Sequence, residues 1–156
     1  EMSRWEVYKN EVESGHLQWG STHTEAFFKE NARMIEGSDG DFHLLKVLIA
    51  LLSSRDEEVS AIACYDIGEF VRHYPNGRAI AKRLGSKELV MPLIKHENPE
   101  LQRHAFLFVS TFMVRANSKT GTGVASVSYV TEAGWCFLLA TFTTGRSKRC
   151  DVDNEV

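Results

Sequence analysis

The sequence predicts an all-α fold, assembled as a HEAT/armadillo-like array of helical repeats (an α-solenoid), and three observations carry that expectation. The first is residues 55–75, RDEEVSAIACYDIGEFVRHYP. Val59, Ala63, Ile67, Phe70 and Tyr74 recur there at helical spacing along one face, widened by Ile62, Cys64 and Val71. Asp66, Glu69, Arg72 and His73 fall on the other side and read as a solvated face. The second observation is that this pattern repeats. Residues 97–114, ENPELQRHAFLFVSTFMV, place Leu101, Ala105, Phe106, Val109, Phe112 and Met113 where the first helix has Val59, Ala63, Cys64, Ile67, Phe70 and Val71, an offset of 42 residues. The third is that the preceding segments match at the same offset: Val47, Leu48, Leu51 and Leu52 fall on Leu89, Val90, Leu93 and Ile94. A period of about 40–47 residues with two or three helices per unit is the HEAT/armadillo signature. Each such unit leaves an apolar face that only a stacked neighbour covers.

The elements follow in order. Ser3 and Glu6 make a capping box for a helix from Arg4 to Ser14, which Gly15 ends. Its apolar residues, Trp5, Val7, Tyr8 and Val12, are sparse, so it is expected to lie against the side of the array. Leu17 and Trp19 form an extended link expected to plug into the core. Thr22 and Glu25 read as a second capping box, opening a helix through Phe27, Phe28, Ala32 and Ile35 to Gly37. Ser38 to Asp41 (SDGD) is a turn, and residues 42–53 are apolar almost all round, the mark of a buried helix.

Asp56 caps the principal helix, Glu57 and Glu58 favour its first turn through the helix dipole, and Pro75 with Asn76-Gly77 stops it. Asn76 caps a short helix over 77–84, with Gly85 at its end. A further helix over 87–96 is interrupted by Pro92, which removes one hydrogen bond and kinks the rod. Asn98 then caps a helix with Pro99 in its first position, running to about Asn117. At Ser118 the character changes to Gly, Ser and Thr without helical period, although Val127 and Tyr129 alternate as in a strand. Two parts are therefore expected: a helical-repeat domain over 1–117 and an atypical, poorly ordered tail over 118–156.

The totals narrow the function. The chain has 156 residues, 43% hydrophobic and 25% charged, ordinary for a globular domain. With a net charge of −3 and a pI of about 6.1, nothing suggests a nucleic-acid or polybasic membrane binder. Three scattered cysteines make no disulfide framework and favour a reducing compartment. No signal peptide is expected, and Glu1 in place of an initiating Met is expected of a segment of a longer chain. The longest apolar run, residues 134–142, is about half of what a spanning helix needs.

No motif carries chemistry. His96-Glu97 lacks the second histidine of the zinc-protease spacing, and His96 reads as a helix C-terminal residue. Lys119 to Gly123 (KTGTG) lacks the Gly-Lys-Ser/Thr ending of a phosphate loop. Asp66 and Glu69 lie one turn apart without further partners, and Glu69 is placed to pair with Arg72 or His73. Cys64 reads as inert core. Gly68 sits mid-helix at a cost of about 1 kcal/mol relative to alanine, which predicts that a neighbouring helix, or a partner, crosses very close there. No catalytic, metal or cofactor-binding residue is assigned.

Residues 66–77, DIGEFVRHYPNG, continued by KRLGSKELVMPLIKHENPELQRHA, resemble the C-terminal domain of the H subunit of the vacuolar-type proton ATPase. That family carries a D-[IV]-G-E-[FY]-V-R-H-Y-P-x-G run, matched here without a gap. Upstream, GHLQWGSTHTEAFFKENA is similar to the family's G-x-L-x-W-[ST]-P-x-H…F-W-x-E-N segment, with Gly20-Ser21 in place of Ser-Pro and Phe28 where the family often has Trp.

The resemblance covers roughly Trp5 to Ala116 and implies the smaller of two HEAT/armadillo-like domains in a polypeptide that is not itself catalytic. It implies a regulatory and coupling role, linking the soluble and membrane sectors and silencing ATP hydrolysis by the detached soluble sector. The implied partners are other components of the vacuolar-type ATPase: the peripheral and central stalks of the soluble sector, and the cytosolic part of the large a subunit in the membrane sector. The implied location is cytoplasmic, peripheral on the cytosolic face of vacuolar or endomembranes. Neither nucleic acid nor direct membrane insertion is expected.

The resemblance assigns no residue roles. Asp66, Glu69, Arg72 and His73 are interface candidates because they are polar and belong to the signature run. The tail resembles nothing in the family, and Trp135, Phe137, Leu138 and Leu139 are expected to pack on Phe108 or Phe112. The alternative reading is a generic helical-repeat scaffold for protein–protein interaction.

Overall fold

The computed structural model of the protein describes residues 1–113 and two short strands, 127–130 and 136–139. The chain divides into two compact units, Glu1–Phe112 and Met113–Val156.

The first unit is all helical. Helix α1 spans Arg4–Ser14, with the capping box in place: Ser3 Oγ accepts from the Glu6 amide and Glu6 accepts from the Ser3 amide. Gly15, at φ +75°, ends it in the left-handed conformation that glycine adopts at least cost. Tyr8 and Val12 are fully buried. In the link that follows, Leu17 is buried as expected, but Trp19 is 43% exposed and does not plug into the core. Its indole lies across the surface against Tyr65 and His104, at centroid distances of 5.6 and 5.1 Å.

Helix α2 spans Glu25–Asn31 and continues as a 3-10 turn, Ala32–Glu36, ended by Gly37. Its cap is Thr24, which accepts from the Phe27 amide, and not Thr22. The Thr22 hydroxyl is instead turned inward to Glu11 Oε2 at 3.3 Å, a tertiary bond that outcompetes the local one.

Helix α3 spans His43–Leu51 and buries Leu44, Leu45, Leu48 and Ile49, while Lys46 and Ala50 face outward. Helix α4, Glu57–His73, is the axis of the unit and packs against both α2 and α3. Asp56 caps it, accepting from the amides of Glu58 and Val59. Ser60 ties it to the end of α3: its buried hydroxyl lies 3.1 Å from the Leu52 carbonyl and 3.2 Å from that of Ser54.

Helix α5 spans Gly77–Arg83 and lies against α4. A Cβ on Gly77 would come within 3.0 Å of the Phe70 carbonyl oxygen and the Val71 Cα, so only glycine allows this approach. Helix α6, Ser86–Val90, tightens into a 3-10 turn over Met91–Lys95 at the Pro92 interruption. His96 stands at its C-terminus, as expected, and its Nδ1 accepts from the Asn98 amide.

Helix α7 spans Pro99–Met113, and the Asn98 side chain accepts from the amides of Glu100 and Leu101. Of the matched positions of α4 and α7, Val59, Ala63 and Ile67 are buried and so are Leu101, Ala105 and Val109, whereas Cys64 and Phe70 are buried and their counterparts Phe106 and Phe112 are only half-buried.

In the second unit the described strands are β1, Val127–Val130, and β2, Cys136–Leu139. They pair antiparallel, with Val127 opposite Leu139 and Val130 opposite Cys136. β1 takes in Val127 and Tyr129, whose alternation in the sequence is strand-like, so helix is not the only element of the chain. The remainder of the expected tail, the last residues of the expected final helix and the expected packing of Trp135, Phe137, Leu138 and Leu139 lie outside the described residues. Among the described residues no helix is long and apolar enough to cross a membrane.

Candidate functional site

The signature run 66–77 occupies the second half of α4 and the turn after it. Helical geometry sends its polar residues in two directions. Asp66 points inward and is fully buried, which corrects the reading of a single solvated face. Glu69 is also buried, at 5% exposure. Arg72 and His73 reach outward from the last turn, with side chains 53% and 19% exposed.

Asp66 is the inner anchor of a buried polar cluster. Its carboxylate lies 2.8 and 3.0 Å from His23 Nδ1 and accepts from the Tyr8 hydroxyl at 3.2 Å. The other ring nitrogen of His23 stands 3.1 Å from Glu11 Oε1. Glu11 in turn accepts from the Gln18 amide and the Thr22 hydroxyl. One histidine thus joins α1, the link before α2 and α4.

Both ring nitrogens face carboxylate oxygens, and only an imidazolium carries N–H on both. Burial opposes a charge on His23, but the hydrogen bonds and charges of Asp66 and Glu11 outweigh it and raise its pKa. Burial pushes Asp66 up to about 6, against the opposite pull of His23 and Tyr8. The cluster is tightly satisfied and offers no open valence to a substrate. Its arrangement is that of an interhelical tie.

Glu69 accepts from His73 at 3.2 Å and from Arg72 at 3.4 Å, the pairing expected within one helix turn. Tyr74 donates to Glu36, which fastens the end of α4 to the 3-10 turn after α2. The four interface candidates are therefore not one surface. Asp66 belongs to the interior tie, whereas Arg72 and His73 reach outward and are ion-paired to the buried Glu69.

The neighbouring helix expected beside Gly68 is not there. A Cβ built there meets nothing within 4 Å, so no neighbouring helix crosses close. The position opens instead on a shallow groove of about 100 Å³ between α4 and α7, lined by Tyr65, Glu69, Arg72, His104, Leu107 and Phe108 among others. Leu107 is 41% exposed on its edge. His104 is buried there with its Nδ1 unpartnered, and burial together with Arg103 lowers its pKa. A larger open cleft, about 620 Å³, lies between α1 and the segment from Arg33 to Leu44. Among the described residues no group of three or more His, Cys, Asp or Glu side chains is placed to hold a metal ion.

Sequence reasoning missed His23, Tyr8 and Glu11. A signal for His23 was present, since it is the histidine of the upstream W…H segment that accompanies the signature run. Nothing in local pattern marks Tyr8 or Glu11, whose partners lie 58 and 12 positions away.

Comparison with known proteins joins these residues to a family. The family model of the V-ATPase H subunit matches residues 1–116, which include the whole cluster and the groove. The chain is similar to the H subunit of the V-type proton ATPase of Drosophila melanogaster, 40% identical over 116 residues, 73% of this chain and 24% of the relative. It is similar to the second of the probable V-type proton ATPase H subunits of Caenorhabditis elegans, 41% identical over 116 residues and the same shares. A probable V-type proton ATPase H subunit of Oryza sativa is 37% identical over 117 residues, 74% of this chain and 25% of the relative. The chain spans about a quarter of the length of these curated relatives. On the match of residues 1–116, three quarters of its length, the chain belongs to the family of V-ATPase H subunits.

Proposed function

We propose that this chain acts as a non-catalytic regulatory and coupling element of a vacuolar-type proton ATPase, linking its soluble and membrane sectors and silencing ATP hydrolysis by the detached soluble sector. The observation that carries the reading is the family match over residues 1–116, with the signature run intact. The architecture suits it. A helical unit cross-tied by a buried ionic cluster is a rigid block, and a rigid block set between stator and rotor stops rotation sterically without doing chemistry. On this reading the partners are the stalks of the soluble sector and the cytosolic part of the large a subunit in the membrane sector. The chain then works in the cytoplasm, on the cytosolic face of vacuolar or endomembranes. Of the interface candidates, Arg72 and His73 reach the surface, held by the buried Glu69.

The same reading takes residues 1–117 as one helical-repeat domain and 118–156 as a separate tail. It takes α3 with α4, and α6 with α7, as successive HEAT/armadillo-like units. The shared burial of three matched pairs in α4 and α7, Val59 with Leu101, Ala63 with Ala105 and Ile67 with Val109, supports that arrangement. A second reading, a helical scaffold for some other protein, draws on the groove beside Gly68.

The test is ATP hydrolysis by purified catalytic sector stripped of its own H subunit, with and without the chain. Saturable inhibition is the expected result. No effect from protein shown to be folded overturns the silencing role, and binding to unrelated partners alone would favour the scaffold.

A further inference from the structure

We propose that His23 is a proton-operated clamp: as an imidazolium it donates to Glu11 on α1 and to Asp66 on α4, and loss of its second ring proton releases α1 and the link before α2 from α4. The inference rests on the geometry of the cluster and stands apart from the proposed function.

Both ring nitrogens lie within 3.1 Å of a carboxylate oxygen. A neutral imidazole has one N–H and one lone pair. On deprotonation one nitrogen must therefore face a carboxylate lone pair to lone pair, inside a low dielectric that strengthens the repulsion. The two sides are unequal. Asp66 is fully buried and keeps the remaining N–H, whereas the Glu11 side chain is 19% exposed and can exchange its partner for water. The break therefore falls between His23 and Glu11. Glu11 also holds the Gln18 amide and the Thr22 hydroxyl, so α1 and the link lose a common fastening.

The ionisable groups facing His23 are Glu11 and Tyr8 from α1 and Asp66 from α4. The Trp19 ring covers it at 6.4 Å, and His104 of α7 stands on that indole. Tyr8 stays protonated, its pKa raised first by burial and then by Asp66. The pKa of His23 is raised on folding, so its contribution is complete below the ordinary value of 6.5 and is lost as pH rises through the folded value. Asp66 is raised as well, so its ionisation on the acid side also disfavours the fold as pH rises. Both effects have one sign, and α1 docks less firmly at higher pH.

The experiment is backbone amide exchange across α1, corrected for intrinsic rates, with NMR of the His23 imidazole in the full 156-residue chain, from about pH 6 to about pH 9.5. The expected result is a fall of about tenfold or more in α1 protection, at the midpoint of the His23 titration, with α4 less affected. In H23Q the α1 protection should lose this pH dependence. Should H23Q fail to fold, E11Q serves, because its amide can accept from or donate to Nε2. E11Q should lower the His23 midpoint and abolish the release. An imidazole already neutral at about pH 6 would overturn the clamp. So would a titration of His23 without change in α1 protection, or the same release at the same midpoint in E11Q.

Discussion

His23 Nδ1 lies 2.8 Å from Asp66 Oδ2, and both side chains are fully buried. Removing one partner of such a pair strands the other charge in the interior, which costs about 3–5 kcal/mol. Asp66→Ala is therefore expected to be among the most damaging single changes in α4, and Asp66→Asn, which keeps an acceptor for Tyr8 and His23, to cost less. Urea unfolding of the two variants checks the order. Equal, small losses in both would show that the tie contributes little.

The two glycines of α4 and α5 should respond to alanine with opposite signs. Gly68 has open space where a Cβ would stand, so Gly68→Ala gains helix propensity and stabilises by about 0.5–1 kcal/mol. Gly77 would press its new Cβ to 3.0 Å from the backbone of Phe70 and Val71, so Gly77→Ala should destabilise by about 1–3 kcal/mol. Thermal denaturation of both variants reads the contrast directly.

Ser60 donates toward the carbonyls that end α3. Ser60→Ala removes that donor without changing the helix period and strands buried carbonyls, a loss of about 1–3 kcal/mol. Faster amide exchange at the α3–α4 junction should accompany it. A loss spread evenly over the unit would argue against a local role.

Cys64 is buried, and burial pushes its thiol up to about 12, so it carries almost no thiolate at neutral pH. In a chain carrying Cys136→Ser and Cys150→Ser, alkylation of Cys64 should follow global unfolding and rise with denaturant. Rapid labelling of the native protein would contradict this packing.

Arg72 is half exposed and bound to Glu69 by one bond at 3.4 Å, so reversing its charge should change stability by less than about 1 kcal/mol. If this surface makes the contact proposed above, Arg72→Glu should weaken inhibition of the catalytic sector by about tenfold at unchanged fold. Full inhibition by Arg72→Glu would move the contact elsewhere.

Helix ends in this chain are legible wherever one residue acts on its neighbours. Ser3 with Glu6, Asp56, Asn98 with Pro99, and Gly15 each stand within four positions of the groups they satisfy. Legibility fails where a distant residue competes for the same atom. By local pattern Thr22, three residues before Glu25, is the cap, but Glu11, on another helix, takes the Thr22 hydroxyl and the cap falls to Thr24. Trp19 stays out of the core and no helix crosses at Gly68 for a related reason: an indole or a missing side chain says nothing about whether a neighbour stands beside it.

Short-range chemistry thus settled where the helices lie and the membership that the signature run marks, because caps, period and motif are written within single segments. The three-dimensional packing decided which polar residues face inward. Asp66 and Arg72 look alike in a helical pattern, yet one is buried because Tyr8 and His23 arrive from 58 and 43 positions away to satisfy it. A charge enters an interior only where partners meet it, and those partners are assembled by the fold.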